Sequence, residues 1–335
     1  MGHATRCIPV INALIRYNFE PIIASDGAAL ELLRKEFPQL KTFELPSYDI
    51  RYAKKTKSFK LKLIKDTPQL IKTIRKEKKI IETLVETENI KGIISDNRFG
   101  VRHNEIPSVF ITHQLRVLSG STTWLSSKLH QKIISKFDEC WVPDYEGSNN
   151  LSGQLGHTKG IKSTVKYLGP LTRFNRLKIT SKYNLLVILS GPEPQRTFLE
   201  EKLLKELIHY NGNVLFIKGI IASKQKKEIK NNMVVYNFMT SKALEIAINE
   251  SDIILSRSGY TTIMDIEKLE KKAFFIPTPG QFEQEYLANK LTNEGIAPSC
   301  HQKDFKINML DEIKNYNGFK WPEQELNYNH LFGLF

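Results

Sequence analysis

Residues 255–289 read LSRSGYTTIMDIEKLEKKAFFIPTPGQFEQEYLAN. The apolar strand Ile253-Ile254-Leu255 runs into a break at Ser256-Arg257-Ser258-Gly259. An amphipathic stretch follows from Tyr260 to Glu270, then a second apolar strand from Ala273 to Pro277. This is the repeating unit of a parallel α/β layer. A small-residue turn that opens a helix leaves backbone N–H groups at the positive end of the helix dipole, where an anion binds. Asp265 follows Ser258 by seven residues, two turns along the same helix face, a rise of about 10 Å. A phosphate on the helix end and a carboxylate for ribose hydroxyls would together cradle a nucleoside diphosphate. A plainer reading stands beside this one: the turn is ordinary α/β architecture and Asp265 a solvated helix residue.

The same alternation extends outward over the chain. Strands are expected at Pro21–Ala24, Lys41–Glu44, Gly92–Ser95, Ser108–Ile111, Glu139–Val142 and Thr164–Leu168, with helices at Ala4–Tyr17, Gly27–Glu36, Thr67–Thr87 and Trp124–Lys136. Further strands are expected at Asn184–Leu189, Asn213–Ile217, Met233–Tyr236 and Asp252–Leu255. Gly169–Lys182 lacks periodicity and contains Gly169-Pro170, the mark of a linker. The expected domains are therefore 1–168, a linker at 169–182, a second domain at 183–315 and an aromatic-rich tail at 316–335. A length of 335 residues and 41% hydrophobic content suffice for two α/β cores.

Cys7, Cys140 and Cys300 are odd in number and scattered, which suits neither a disulfide framework nor a metal cluster. With no apolar run of membrane-spanning length and no leader pattern, the expectation is a cytoplasmic protein. The net charge of +13 is concentrated. Twelve Lys or Arg stand between Arg51 and Lys79 against only Asp66 and Glu77, and Phe59, Leu61, Leu63 and Ile64 interleave with Lys57, Lys60, Lys62 and Lys65. Contact of residues 51–79 with an anionic membrane surface is one reading, placing the protein on the inner face of the membrane; a solvated face of a Lys-rich protein is the other. Nucleic acid is not an expected partner, because no matching recognition motif accompanies the charge.

The stretch that opens this section resembles the donor-binding segment of the GT-B glycosyltransferases, and in particular family 28, which contains the peptidoglycan N-acetylglucosaminyltransferase. The matching residues are Arg257, Ser258, Gly259 with the following Tyr260 and Thr261, then Asp265, Pro277, Gln284 and Glu285. The resemblance implies two Rossmann-like parallel-sheet domains facing a cleft. It also implies a ribose-binding role for Asp265 and a sugar contact for Gln284; Glu285 departs from the family's second Gln. The family has a strand and a Gly-rich turn ahead of its Gly-His pair, here Gly2-His3. The first strand of the N-terminal domain is thus expected to be missing, as from a late start or a truncated form.

Other positions carry weaker matches. Ser190 and Gly191 correspond to a phosphate-approaching turn, but Pro192 has no N–H to donate, and Arg196 is the candidate to compensate. Arg173 falls where the family has a donor-binding Arg, or lies on a solvated linker. Phe238 and Met239 match the segment whose backbone holds uracil, or belong to the core. His3 is the first candidate general base and Asp96, at a strand's C-terminal end, the second; a helix-capping His is the alternative. Arg98, His113 and Gln114 are candidates for the acceptor side, or polar loop residues satisfying one another.

No Asp-x-Asp motif suggests a metal, and no cofactor is called for. The activity these residues imply is inverting, metal-independent transfer of a hexose, N-acetylglucosamine foremost, from a UDP-sugar to a lipid-linked acceptor. A UDP-sugar epimerase on the same fold and a non-catalytic nucleotide-sugar or lipid-binding protein are the rivals.

Overall fold

The computed structural model describes residues 2–48, 59–158, 161, 163–220, 222–320 and 328–335, and only the backbone of 59–67. The elements in chain order are α1 (Gly2–Arg16), β1 (Ile23–Ser25), α2 (Gly27–Glu36), β2 (Thr42–Glu44), α3 (Phe59–Thr87), β3 (Ile93–Asp96), β4 (Ser108–Ile111), α4 (Thr123–Ile134), β5 (Glu139–Val142) and β6 (Thr164–Tyr167). They continue with β7 (Tyr183–Ile188), α5 (Gln195–Leu207), β8 (Val214–Ile217), β9 (Lys227–Lys230), β10 (Met233–Tyr236), α6 (Ser241–Asn249), β11 (Ser251–Ser256), α7 (Tyr260–Lys268), β12 (Lys272–Phe275), α8 (Phe282–Asn293) and α9 (Tyr328–Phe332). The chain divides into two compact units, Met1–Thr172 with Glu323–Phe335, and Arg173–Pro322.

In the first unit the strands fall into two parallel sheets, β1-β2 and β3-β4-β5-β6. Strands β4 and β5 are buried at every position, as expected of parallel strands covered on both faces. Alternation sends Val109 and Ile111 to one face, with Trp141, and Phe110, with Cys140 and Val142, to the other. The α1 helix serves both sheets. Ala4, Ile8 and Ile11 pack with Ile23, Leu30 and Leu33, while Val10 and Ala13 pack with Val109, Ile111 and Trp141. The C-terminal Leu331 and Phe332 complete that second cluster, and Phe332 stacks edge-on with Phe19 and Tyr17.

The second unit is one six-stranded sheet in the order β12-β11-β7-β8-β10-β9, parallel except for the edge strand β9. Leu185, Val187, Val214, Phe216, Leu255 and Phe274 form its buried centre with Leu199, Leu203 and Leu207 of α5. The chain enters at β7, winds outward through β8 and β10, then crosses back to β11 on the other side of β7. Winding reverses between β7 and β11, and in open α/β sheets ligands bind outside the strand C-termini at such a point.

Candidate functional site

Two loops leave the sheet at that switch point. Ser190-Gly191 follows β7, with Gly191 at φ 110, a conformation open to glycine and costly for other residues. Arg257-Ser258-Gly259 follows β11 and opens α7. Gly259 caps α7 with extended backbone and no side-chain hydrogen bond. Asp265 is half-buried on the same helix, and Tyr260 is buried at its first turn, with Thr261 half-buried after it. Ser258 is fully buried and donates its hydroxyl to the carbonyl of Gln284 at 2.8 Å, tying the α7 turn to α8.

Gln284 and Glu285 fold back on the loop before α8. Thr278 N–H donates to Gln284 Oε1 at 2.8 Å, and Gly280 N–H to Glu285 Oε1 at 2.9 Å. Bonded in this way, Gln284 presents its amide nitrogen as a fixed donor. Thr278 was not legible as a site residue. It is 2% exposed, and its hydroxyl is buried with no hydrogen-bond partner among the described residues; an ideal Cβ on Gly191 would lie 3.8 Å from it.

Two of the expected donor cations, Arg257 and Arg196, are bonded to the scaffold. Arg257 is fully buried and donates to the carbonyls of Ile276, Pro277 and Gln195 and to Gln302 Oε1, at 2.7–3.1 Å. With no carboxylate to balance it among the described residues, burial pushes its guanidinium down to about 10. It pins the end of β12 and the start of α5 to β11. Arg196 is bridged to Glu193 and Glu200 at 2.6 Å each and to the Lys218 carbonyl at 3.2 Å. The Arg173 guanidinium lies 4.8 Å above the Phe174 ring. Phe238 and Met239 are half-buried beyond β10, and the Phe238 carbonyl accepts from Gln225.

The first unit gathers a different set. Asp96, at the C-terminal end of β3, accepts from Arg6 Nε at 2.6 Å and also from Arg6 Nη2, and lies 2.9 Å from His3 Nδ1. Cys7 Sγ is 3.3 Å away. Arg6 Nη1 lies 2.9 Å from His113 Nδ1 and Nη2 lies 2.8 Å from His3 Nδ1. His3, Arg6 and Cys7 share a face of α1 by their spacing of three and four, and Gly2 sits at its exposed start. Burial raises the Asp96 carboxyl, but the charges of Arg6 and His3 and their hydrogen bonds outweigh it, holding Asp96 well below the usual carboxylate range. A carboxylate so firmly ionised is a poor proton acceptor. Asp96 and Arg6 both meet His3 at Nδ1, which donates to the carboxylate in one tautomer and accepts from the guanidinium in the other; either way the pair orients the ring. His3 is 52% exposed, enough for an incoming hydroxyl to reach it.

Arg98 is elsewhere. It pairs with Glu77 and Asp26 at 2.7 Å and donates to the Pro46 carbonyl at 2.6 Å, joining β1, α3 and the loop after β2. Gln114 is half-buried, its N–H donated to Thr112 Oγ1. The central ligand of the cluster, Arg6, was missed. A charged residue on an amphipathic helix reads as solvated, yet here it is 2% exposed.

Two parallel α/β units, the second doubly wound with a Gly-opened helix at its switch point, define a class: the fold is that of the GT-B glycosyltransferases. The glycotransferase of kitacinnamycin superposes with a TM-score of 0.62 over 93% of this chain and 86% of its own, at 12% identity. Within that class, the glycosyltransferase family 28 C-terminal domain matches residues 193–316, and the chain resembles the peptidoglycan N-acetylglucosaminyltransferases of this family. The UDP-N-acetylglucosamine–N-acetylmuramyl-(pentapeptide) pyrophosphoryl-undecaprenol N-acetylglucosamine transferase of Buchnera aphidicola is 28% identical over 62% of this chain. That alignment spans 56% of the Buchnera protein. The protein of the same name from Clostridium botulinum is 23% identical over 95% of this chain and 91% of its own length.

Proposed function

We propose that this protein is an inverting, metal-independent glycosyltransferase that moves a hexose, N-acetylglucosamine foremost, from a UDP-sugar to a lipid-linked acceptor. The observation that carries the reading is the Ser258-Gly259 turn that opens α7 at the switch point, with Asp265 farther along the same helix and Gln284 tethered beside it. The helix end and the Gly191 turn take the diphosphate, Asp265 the ribose hydroxyls, and the Gln284 amide the sugar. His3 Nε2 takes the proton of the acceptor hydroxyl as its oxygen bonds to the anomeric carbon. The bond from that carbon to the diphosphate breaks, and UDP departs with its electron pair. One displacement at one carbon inverts its configuration. Asp96 and Arg6 act by positioning His3.

Asp265→Ala should weaken UDP binding by about 1.5–3 kcal/mol for each charge-assisted hydrogen bond lost, read by calorimetry. The reaction class is tested by incubating the protein with UDP-N-acetylglucosamine, with and without a polyprenyl-diphosphate-linked muramyl acceptor. UDP released only with acceptor supports the transferase. Conversion of the UDP-sugar alone points to the epimerase, and binding without turnover to a binding protein.

A membrane acceptor is supported by α4. Trp124, Leu125 and Leu129 are 72%, 48% and 53% exposed, among the exposed Lys128, Lys132 and Lys136. Lys128 Nζ lies 5.9 Å from the Trp124 ring. Apolar groups ringed by cations suit the boundary of an anionic leaflet. No helix among the described residues is long and apolar enough to cross a membrane. Of the basic stretch 51–79, residues 51–58 lie outside the described residues. Replacing Trp124 and Leu129 together by Ala should lower sedimentation with phosphatidylglycerol vesicles at least about tenfold and leave UDP binding unchanged.

A further inference from the structure

The loop between β12 and α8 carries Thr278 between two prolines, Pro277 and Pro279. Pro279 biases the backbone of Thr278 toward extended conformations, and hydrogen bonds fix it further. Its N–H donates to Gln284 Oε1 at 2.8 Å, and its carbonyl accepts from Gln281 N–H at 3.1 Å. One residue earlier, the Pro277 carbonyl accepts from Arg257 Nη1 at 3.0 Å. The main chain here is tied both to α8 and to the loop after β11, and only the side chain is left over.

The Thr278 hydroxyl is buried and has no hydrogen-bond partner among the described residues. Its buried neighbours in the same unit behave otherwise. Ser251 donates to the Ala247 carbonyl at 2.6 Å, Ser256 to the Arg257 carbonyl at 3.1 Å and Ser258 to the Gln284 carbonyl at 2.8 Å. A hydroxyl held away from every such carbonyl is an exception among buried polar groups. Packing does not account for it, because Val fills the same space without the desolvation of an unbonded hydroxyl. Gly191 shows where the hydroxyl is directed. It is exposed, at φ 110. Around the point where its Cβ would stand, Thr278 Oγ1 at 3.8 Å is the single described atom within 4 Å, apart from the glycine and its chain neighbours. A ligand oxygen on that open side, about 1 Å nearer than the Cβ, lies within hydrogen-bond reach. The hydroxyl is closed to solvent, so the ligand reaches it through a small shift of this turn, which a glycine accommodates.

We infer that Thr278 is a residue of the donor site, its hydroxyl donating to an oxygen of the diphosphate seated on the Gly191 turn. The inference rests on the donor site proposed above and adds to it a contact on the leaving group. An anionic partner suits the surroundings better than a neutral one. Arg257, bonded one residue away, has no carboxylate to balance it among the described residues. The turn itself is short of a donor, since Pro192 has no N–H, and Thr278 supplies one from the loop after β12. A hydrogen bond to a charged acceptor is stronger than one between neutral groups. This one strengthens as the bond to the sugar breaks and negative charge builds on the departing UDP.

The test is calorimetric titration of wild type, Thr278→Val and Thr278→Ser with UDP, uridine and UDP-N-acetylglucosamine. Val keeps the shape and removes the donor, so UDP affinity should fall at least about tenfold while uridine affinity stays as in wild type. Ser keeps the donor and should retain most of the UDP affinity. Should the Val variant not fold, Thr278→Ala supplies the same comparison. A wild type that binds neither UDP nor uridine removes the donor site, and this contact with it. A wild type that binds UDP, matched by an equally tight Thr278→Val, removes Thr278 alone and leaves the site standing. Equal losses for uridine and UDP would make Thr278 a wall of the pocket, and a loss confined to UDP-N-acetylglucosamine would give the hydroxyl to the sugar; either result overturns the inference.

Discussion

Replacing His3 by Ala is expected to lower kcat by about 10²–10⁴-fold, the range for a positioned general base, with UDP affinity unchanged. The expectation rests on the dyad geometry: Nδ1 lies 2.9 Å from a carboxylate held ionised by Arg6, and the ring is half-exposed. In the tautomer that donates Nδ1–H to Asp96, Nε2 is the nitrogen that takes the acceptor's proton. UDP affinity is untouched because the nucleotide-binding residues proposed above belong to the second unit. Asp96→Asn should reduce kcat less than His3→Ala while leaving KM for the donor in place, because the amide still fixes the ring but no longer stabilises imidazolium. If His3→Ala turned over at the wild-type rate, His3 would be a helix-end residue and nothing more.

The second large effect concerns Arg6. Its guanidinium is buried and joins Asp96, His113 and His3. Arg6→Leu leaves Asp96 and His113 buried without their cation, a change that should cost about 3–5 kcal/mol, measured by urea unfolding at pH 7. Arg6→Lys should recover only part, since a point charge cannot span a carboxylate and an imidazole at once. The pH dependence carries the signature. Asp96 is depressed in the folded state, so it contributes stability above the unfolded carboxyl value of about 4 and loses it as pH falls through the folded value. Wild type should therefore weaken on acidification below about pH 4, and Arg6→Leu should show a smaller acid-side loss. Parallel pH profiles for the two proteins would show that Arg6 does not hold Asp96 ionised.

Strands bounded by turn residues and built of unbroken apolar runs were legible in full. Ser108–Ile111, Glu139–Val142 and Met233–Tyr236 have the bounds their composition predicts. The strand β9, Lys-Glu-Ile-Lys, was not, because all four residues are exposed and only pairing with β10 makes it a strand. The helix α3 begins at Phe59 rather than Thr67, continuing through Pro68, which local propensity would have kept to a first turn. The Gly191 turn and the start of α7 could be read because backbone geometry demands them. The partners of the arginines could not. Arg257, Arg196 and Arg98 look alike in sequence to a ligand-binding cation, and only their partners, carbonyls for the first and carboxylates for the others, show them holding the scaffold. Arg6 is the converse, a residue that reads as solvent-facing and lies at the centre of the cluster.

The most direct test of the central claim is calorimetric titration of wild type and Asp265→Ala with UDP, UDP-N-acetylglucosamine, UDP-glucose and GDP-mannose. The account predicts that the uridine nucleotides bind in preference to GDP-mannose, and that Asp265→Ala weakens each of them by the loss of its ribose contacts. Equal binding of GDP-mannose, or uridine binding untouched by Asp265→Ala, would contradict it and return Asp265 to the solvated face of an ordinary helix.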